Sequence, residues 1–300
     1  MEYESTHATT TRHDPRRGWP SRTYRFLREW PVIPGLILTV LIVCAIFAPL
    51  LAPHNERHGD LRAPNVPPAW LEEGTSKYIF GTDALGRDLL SRIIFGARIS
   101  LVVAATVLGT GAVGGTVIGL IAGYFGGQVD ELLMRFVDFT LAIPFILVAL
   151  AVIIVFGQSL TIIIVLLAMV SWGGFARQIR AEALSIRTLD YVALAKVAGA
   201  GSSRIIYRHV LPGVINTCII IATLRVGTLI LTESILSFLG VGVPPPTPAW
   251  GTMVSDGRDY LDSAWWIAVF PGMAIFLTVL AFNFLGDWLR DRLDPRLRQL

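Results

Sequence analysis

Apolar runs of near-constant length recur between residues 32 and 285, and they constrain this chain more than any other feature. A bilayer core asks for roughly twenty apolar residues per helical crossing, and six stretches meet that demand. They are 32–51, 100–123, 132–156, 160–176, 214–239 and 266–285, with Gly173 and Gly174 marking the expected inner end of the fourth. Lipid offers no partner to a free N–H or C=O, so helices are the economical way to cross. The expected fold class is all-α, a polytopic membrane protein with about six transmembrane helices. Composition agrees, with 53% hydrophobic and 16% charged residues. The net charge of +3 does not point to nucleic acid, because basic residues lie between the apolar runs rather than on one face. Cys44 and Cys218 both fall inside apolar runs, which excludes a disulfide framework and a CxxC metal site and reads as packing.

Orientation follows from the distribution of Lys and Arg. With the N-terminus inside, the cytoplasmic segments hold 17 of the 25 basic residues, including six arginines between Arg12 and Arg28. Residues 1–30 then form a cytoplasmic tail leading into an uncleaved first helix, 31–289 a transmembrane domain and 290–300 a second cytoplasmic tail. Both termini are expected in the cytoplasm. Along the second run and just past it, Gly111, Gly115, Gly119, Gly123 and Gly127 recur every fourth residue. Such a stripe lies along one helix face and lets another backbone approach closely.

The longest inner segment, 177–212, predicts two short helices joined at a glycine. Asp190 would cap the first, Gly199 would end it in a left-handed turn, Ser202 or Ser203 would cap the second, and Pro212 would open the next span. Tyr191, Val192, Leu194 and Val197 would supply an apolar docking face. Three ionisable residues, Arg225, Glu233 and Asp138, fall in or beside apolar runs, where a charge must face protein or water. Arg225 and Glu233, eight residues apart, are candidates to line an aqueous pathway and meet a substrate's charged ends.

Spacing within 190–212 places Ala193-Leu194-Ala195 six residues before Gly199, followed by His209, Leu211 and Pro212. This resembles the EAA loop of ABC importer permeases, in the Tyr-Val and His-x-Leu-Pro version of the peptide branch. The name-giving glutamate is absent, since starting from Glu182 would put Thr188 where glycine is required. The segment from Phe80 through Asp83, Gly86, Arg87, Asp88 and Arg92 to Arg98 is similar to a hallmark of the same branch. Read physically, Asp88 pairs with Arg92 and Leu89, Leu90, Ile93 and Ile94 form the stripe of an interfacial helix on the outer leaflet. The stretch from Glu233 through Pro244, Pro245, Pro246 and Pro248 to Trp250 also resembles that family. Its stiff outer loop, with Trp250, Asp256, Arg258, Asp259 and Tyr260, suits docking of a soluble binding protein, while Trp265 and Trp266 read as interface anchors.

The resemblance, to the C-type permease of dipeptide and oligopeptide systems, implies a mechanical subunit of an importer in the bacterial inner membrane. It implies a coupling loop at Asp190, Tyr191, Ala193, Leu194, Ala195, Gly199, Ala200, His209, Leu211 and Pro212. It also implies a homologous B-type permease, two ATPase subunits or one fused ATPase chain that bind the ATP and Mg, a substrate-binding protein and a peptide substrate. Consistent with a chain that holds no cofactor, there is no G-x-x-x-x-G-K-[ST], and the only lysines are Lys77 and Lys196. All five histidines lie outside the apolar runs, and neither HExxH nor G-x-S-x-G occurs, which argues against a membrane hydrolase. A nickel or small-solute permease is the neighbouring reading, and a passive channel or receptor subunit the reading from another class.

Overall fold

The computed structural model describes residues 31–293, so the expected N-terminal tail lies outside the described residues. Among those described, the regular structure is helical, with one isolated bridge between Thr82 and Asp88. The first apolar run forms α1 (Val32–Ile46) and a single further turn, α2 (Ala48–Leu51). The break falls at Phe47 because Pro49 has no N–H for the carbonyl four residues back.

The second run forms α3 (Leu89–Phe125), which is 37 residues long and starts eleven positions before the expected span. No separate interfacial helix exists here. Leu89 and Ile94 are buried in the first turns of α3, and the Asp88 carboxylate caps the helix by accepting from the Ser91 N–H. The third run is not one helix either. α4 (Gly127–Ala142) and α5 (Phe145–Phe156) meet at a 74° bend. Pro144 pushes Ile143 into extended backbone, φ −81 and ψ 126, and ends α4 there. The fourth, α6 (Leu160–Ile186), continues ten residues past Ala176. Gly173 and Gly174 are packing sites within it rather than its end, against Leu141 and Arg225 respectively.

α7 (Asp190–Val197) and α8 (Ser202–Ile205) follow, then a π-helical turn at Ile206–Val210 and α9 (Leu211–Phe238). From Ser202 to Phe238 the helix is unbroken, so the second short helix of the inner segment is the foot of the fifth span. α10 (Trp250–Gly257) occupies what was expected to be loop, and α11 (Trp266–Leu293) carries the buried Pro271 and runs past residue 289. Four helical runs, α3, α6, Ser202–Phe238 and α11, are long and apolar enough to cross a membrane, and the bent α4–α5 pair makes a fifth.

The most extensive helix contact is between α3 and α6. Gly111, Gly115, Gly119 and Gly123 face Ser171, Phe175, Ile179 and Ala183 in step, with no room for a Cβ at any of the four. Gly127 is not part of this seam, having open space around it. Cys218 packs beside Thr116, Sγ to Oγ1 3.5 Å, and Cys44 joins the cluster around α1. Large apolar side chains stay uncovered elsewhere, Ile154 at 80% and Phe156 at 73%, as expected of a surface that meets lipid or another apolar chain.

Candidate functional site

At the end of the bundle that carries the segment 187–212, α7 closes with a Schellman pair. The Gly199 N–H donates to Lys196 O and the Ala200 N–H to Ala195 O, both at 3.0 Å, with Gly199 at φ +77. Asp190 lies in the first turn, where its charge suits the helix dipole, but Leu189 is the cap residue. Gly201, not Ser202 or Ser203, precedes the next helix. Pro212 cannot serve the Arg208 carbonyl, and the ladder widens to a π turn there.

Val192 is wholly buried with Ile205 and Val210, so it anchors α7 and is lost from the expected docking face. Tyr191, Leu194, Val197 and Tyr207 remain exposed, as do Ala193, Gly199 and Pro212. Ala195, Ala200 and Leu211 are half-buried against the core, and His209 stands with its ring 6.1 Å from that of Tyr191.

Two arginines tie this end together. Arg180 clasps Asp130 through both carboxylate oxygens at 2.5 Å, and Arg187 donates to the carbonyls of Gly123 and Tyr124 at the end of α3. Asp138 pairs with Arg177 at 2.6 Å on an exposed face and does not join the other candidate pathway charges.

Arg225 and Glu233 do not meet. Eight residues of helix separate them by about 12 Å along the axis. Glu233 is 1% exposed and accepts the Ser237 hydroxyl at 2.7 Å. Arg225 instead rests over the Phe175 ring, 5.4 Å from its centroid, and lines a cavity of about 110 Å³ between α5, α6 and α9.

Where α10 meets the segment before α3, a larger cavity, about 660 Å³, is lined by Asp83, Arg87, Arg92, Asp256, Arg258, Asp259 and Tyr260. Arg87 binds Asp83 at 2.7 Å and reaches Asp256 at 3.9 Å, which joins the segment before α3 to α10. Arg92 turns to Asp83 at 3.6 Å rather than pairing with the Asp88 side chain. Burial pushes the Asp256 carboxyl above its ordinary range, and Arg92 and Arg87 pull it back only in part. Of the expected docking residues, Trp250 is removed by the fold. It is 1% exposed, donates Nε1–H to Ile93 O at 3.0 Å and fills the space left by Gly96. Trp266 is likewise buried and bonded to Thr82 O, so only Trp265 keeps the exposure of an interface anchor. Sequence reasoning missed the buried polar knot of Thr82, Asp83, Asp88, Ser91 and Arg92, whose signal was polar residues set between and just after the turn glycines Gly81 and Gly86.

Five helical runs able to cross a membrane, two of them joined side by side along a glycine seam, and a short helix with an exposed apolar face describe a polytopic membrane protein. The solved structure of the inward-facing methionine transporter MetNI shares the architecture, with TM-score 0.57, 18% identity and coverage of 69% of this chain and 98% of that one. Residues 115–299 match the family described as binding-protein-dependent transport system inner membrane component, and residues 25–68 match the N-terminal TM domain of oligopeptide transport permease C. The chain belongs to this family of ABC importer permeases. It is 44% identical over 275 residues to the dipeptide transport system permease protein DppC of Escherichia coli strain K12, covering 91% of this chain and 92% of that one. The di/tripeptide transport system permease protein DppC of Pseudomonas aeruginosa strain UCBPP-PA14 is 41% identical, with 95% and 96% covered. The glutathione transport system permease protein GsiD of Pectobacterium atrosepticum is 40% identical, with 94% and 93% covered.

Proposed function

We propose that this chain is the transmembrane permease subunit of an ATP-driven importer of dipeptides or oligopeptides and forms half of its translocation pathway. The observation that carries this reading is the alignment with dipeptide and di/tripeptide permeases over at least 91% of each chain. The chain is a non-catalytic membrane subunit. ATP and Mg belong to two ATPase subunits or one fused ATPase chain, a homologous B-type permease supplies the other half of the pathway, and an extracytoplasmic binding protein delivers the peptide. Both termini lie on the cytoplasmic side of the bacterial inner membrane.

Coupling runs through α7. Its exposed Tyr191, Leu194 and Val197 meet the ATPases, and the Gly199 turn passes motion to the unbroken helix Ser202–Phe238, which carries Arg225 into the membrane. This works only if the ATPases hold α7 differently in their two states, since an indifferent partner shifts no equilibrium. The outer cavity with Asp256, Arg258, Asp259 and Tyr260 receives the binding protein.

The test is uptake of labelled dipeptide, longer peptide and nickel by cells lacking this chain, with and without its restored expression. Selective loss and rescue of peptide uptake is expected. Loss of nickel uptake alone would keep the permease and overturn the substrate.

A further inference from the structure

We propose that Arg225 and the N-terminal end of α5 form a carboxylate site within the membrane, whose ligand is the C-terminal carboxylate of the peptide in transit. The proposal rests on the reading of the chain as a peptide permease.

The site is shaped around the cation. α6 presents Gly174 directly beneath the Arg225 guanidinium, where any Cβ would collide with Nη2 and Cζ, and the next residue, Phe175, offers its ring at 5.4 Å. A guanidinium held by a cation–π contact and by the absence of a Cβ still has N–H donors suited to a bidentate acceptor. No carboxylate among the described residues lies within ion-pair distance of Arg225. An unpaired charge at this depth is expensive unless water or an anion meets it.

The second element is the bend of the third span. α5 begins at Phe145, which lines the same cavity; its cap residue Pro144 offers no side-chain cap, and its carbonyl meets only the Leu147 and Val148 N–H groups of the first turn. A broken membrane helix therefore turns its positive end toward the space that holds an unpaired cation, an arrangement suited to an anionic group. Thr228, Thr232 and Ser171 supply hydroxyl-bearing walls, and Leu167, Val170 and Leu229 the apolar ones. At about 110 Å³ the cavity admits a carboxylate and little more, so the side chains of the peptide stay outside it. Such a site reads a group that every unmodified peptide carries, whatever its sequence.

The experiment uses the complete importer in proteoliposomes, with binding protein saturated either by a dipeptide or by its C-terminal amide. The parent should import the free acid faster than the amide. Arg225→Gln should slow the acid by about tenfold or more, the scale of a lost charged hydrogen bond, and leave the amide near its parent rate. Gly174→Ala, which keeps the charge but displaces it, should show the same selective loss, and it decides the matter if Arg225→Gln does not assemble with its partner. Equal loss of both forms in an assembled complex would overturn the site and assign Arg225 to a fixed ion pair with the partner permease. Unchanged import of both forms would overturn it as well. Import of neither form by the parent would remove the peptide reading itself, and the site with it.

Discussion

Gly115 on α3 and Phe175 on α6 meet so closely that a Cβ on the glycine would stand 2.5 Å from the Cβ of the phenylalanine. The same relation recurs in step at Gly111 with Ser171, Gly119 with Ile179 and Gly123 with Ala183, so the two helices run in the same direction through the seam. Phe175 then carries Arg225 on its ring. The glycine seam thus fixes the wall on which the charged cavity is built.

Gly115→Val should open the seam. Overpacking at such a contact costs about 1–3 kcal/mol, more where backbone is the neighbour, as the Trp172 carbonyl is here. Thermal unfolding of the detergent-solubilised complex should shift down for Gly115→Val and stay near the parent for Gly114→Ala, whose Cβ would meet nothing within 4 Å. Equal shifts would remove the seam as the reason for the glycine spacing.

Gly199→Val should insert normally yet transport poorly. Its Cβ meets nothing, so the cost is the backbone at φ +77, of order 1–3 kcal/mol for a branched residue, and it falls on the turn between α7 and α8. Membrane abundance should be kept while ATPase stimulation by loaded binding protein is lost. Normal stimulation would end the lever assignment.

Arg180 and Asp130 should show positive coupling in a double-mutant cycle. Their two-pronged pair is partly solvent-exposed, so a coupling of about 1 kcal/mol between Arg180→Gln and Asp130→Asn is expected from chemical denaturation of the assembled protein. Additive effects would show that the clasp is incidental.

Asp256 gives a pH dependence of defined sign. Burial raises its carboxyl above the ordinary value, so the folded state favours the neutral acid. Its contribution to stability is full below the unfolded value, about 4, and is lost as pH rises through the raised one. Asp256→Asn should therefore be as stable as the parent or slightly more so near pH 7, by less than about 1 kcal/mol because the side chain is half-exposed, and the difference should vanish in acid. A variant clearly weaker at pH 7 would show that the contact with Arg87 outweighs burial.

A reporter fused at Glu72, an exposed position in the segment between α2 and α3, should read as extracytoplasmic. A cytoplasmic signal would invert the orientation drawn from Lys and Arg.

How much of this was legible in the sequence follows from which forces act locally. Hydropathy records whether a stretch prefers lipid to water, so the apolar runs and their helical state could be read before any coordinates. Glycines every fourth residue announce a close helix contact, and Gly199 with its neighbours announces a left-handed turn, because steric limits on φ belong to the residue itself. Charge counting drew the orientation, but it is blind to partners. Trp250 and Trp266 read as surface aromatics until Gly96 and the Thr82 carbonyl enclosed them. Asp83 and Arg87 look solvated in sequence, and only folding brings Asp256 to them from the far side of the chain. The same holds for Arg225 and Glu233, whose eight-residue spacing suggested a shared face while tertiary contacts sent one to Phe175 and left the other with Ser237. What the sequence by itself determined is the solvent, the helices and the permissive turns, since those are one-residue or one-helix properties. What only the tertiary structure decided is which polar groups are buried and what they face, because burial is a relation between segments and a buried ion pair is spelled with the same letters as a solvated one.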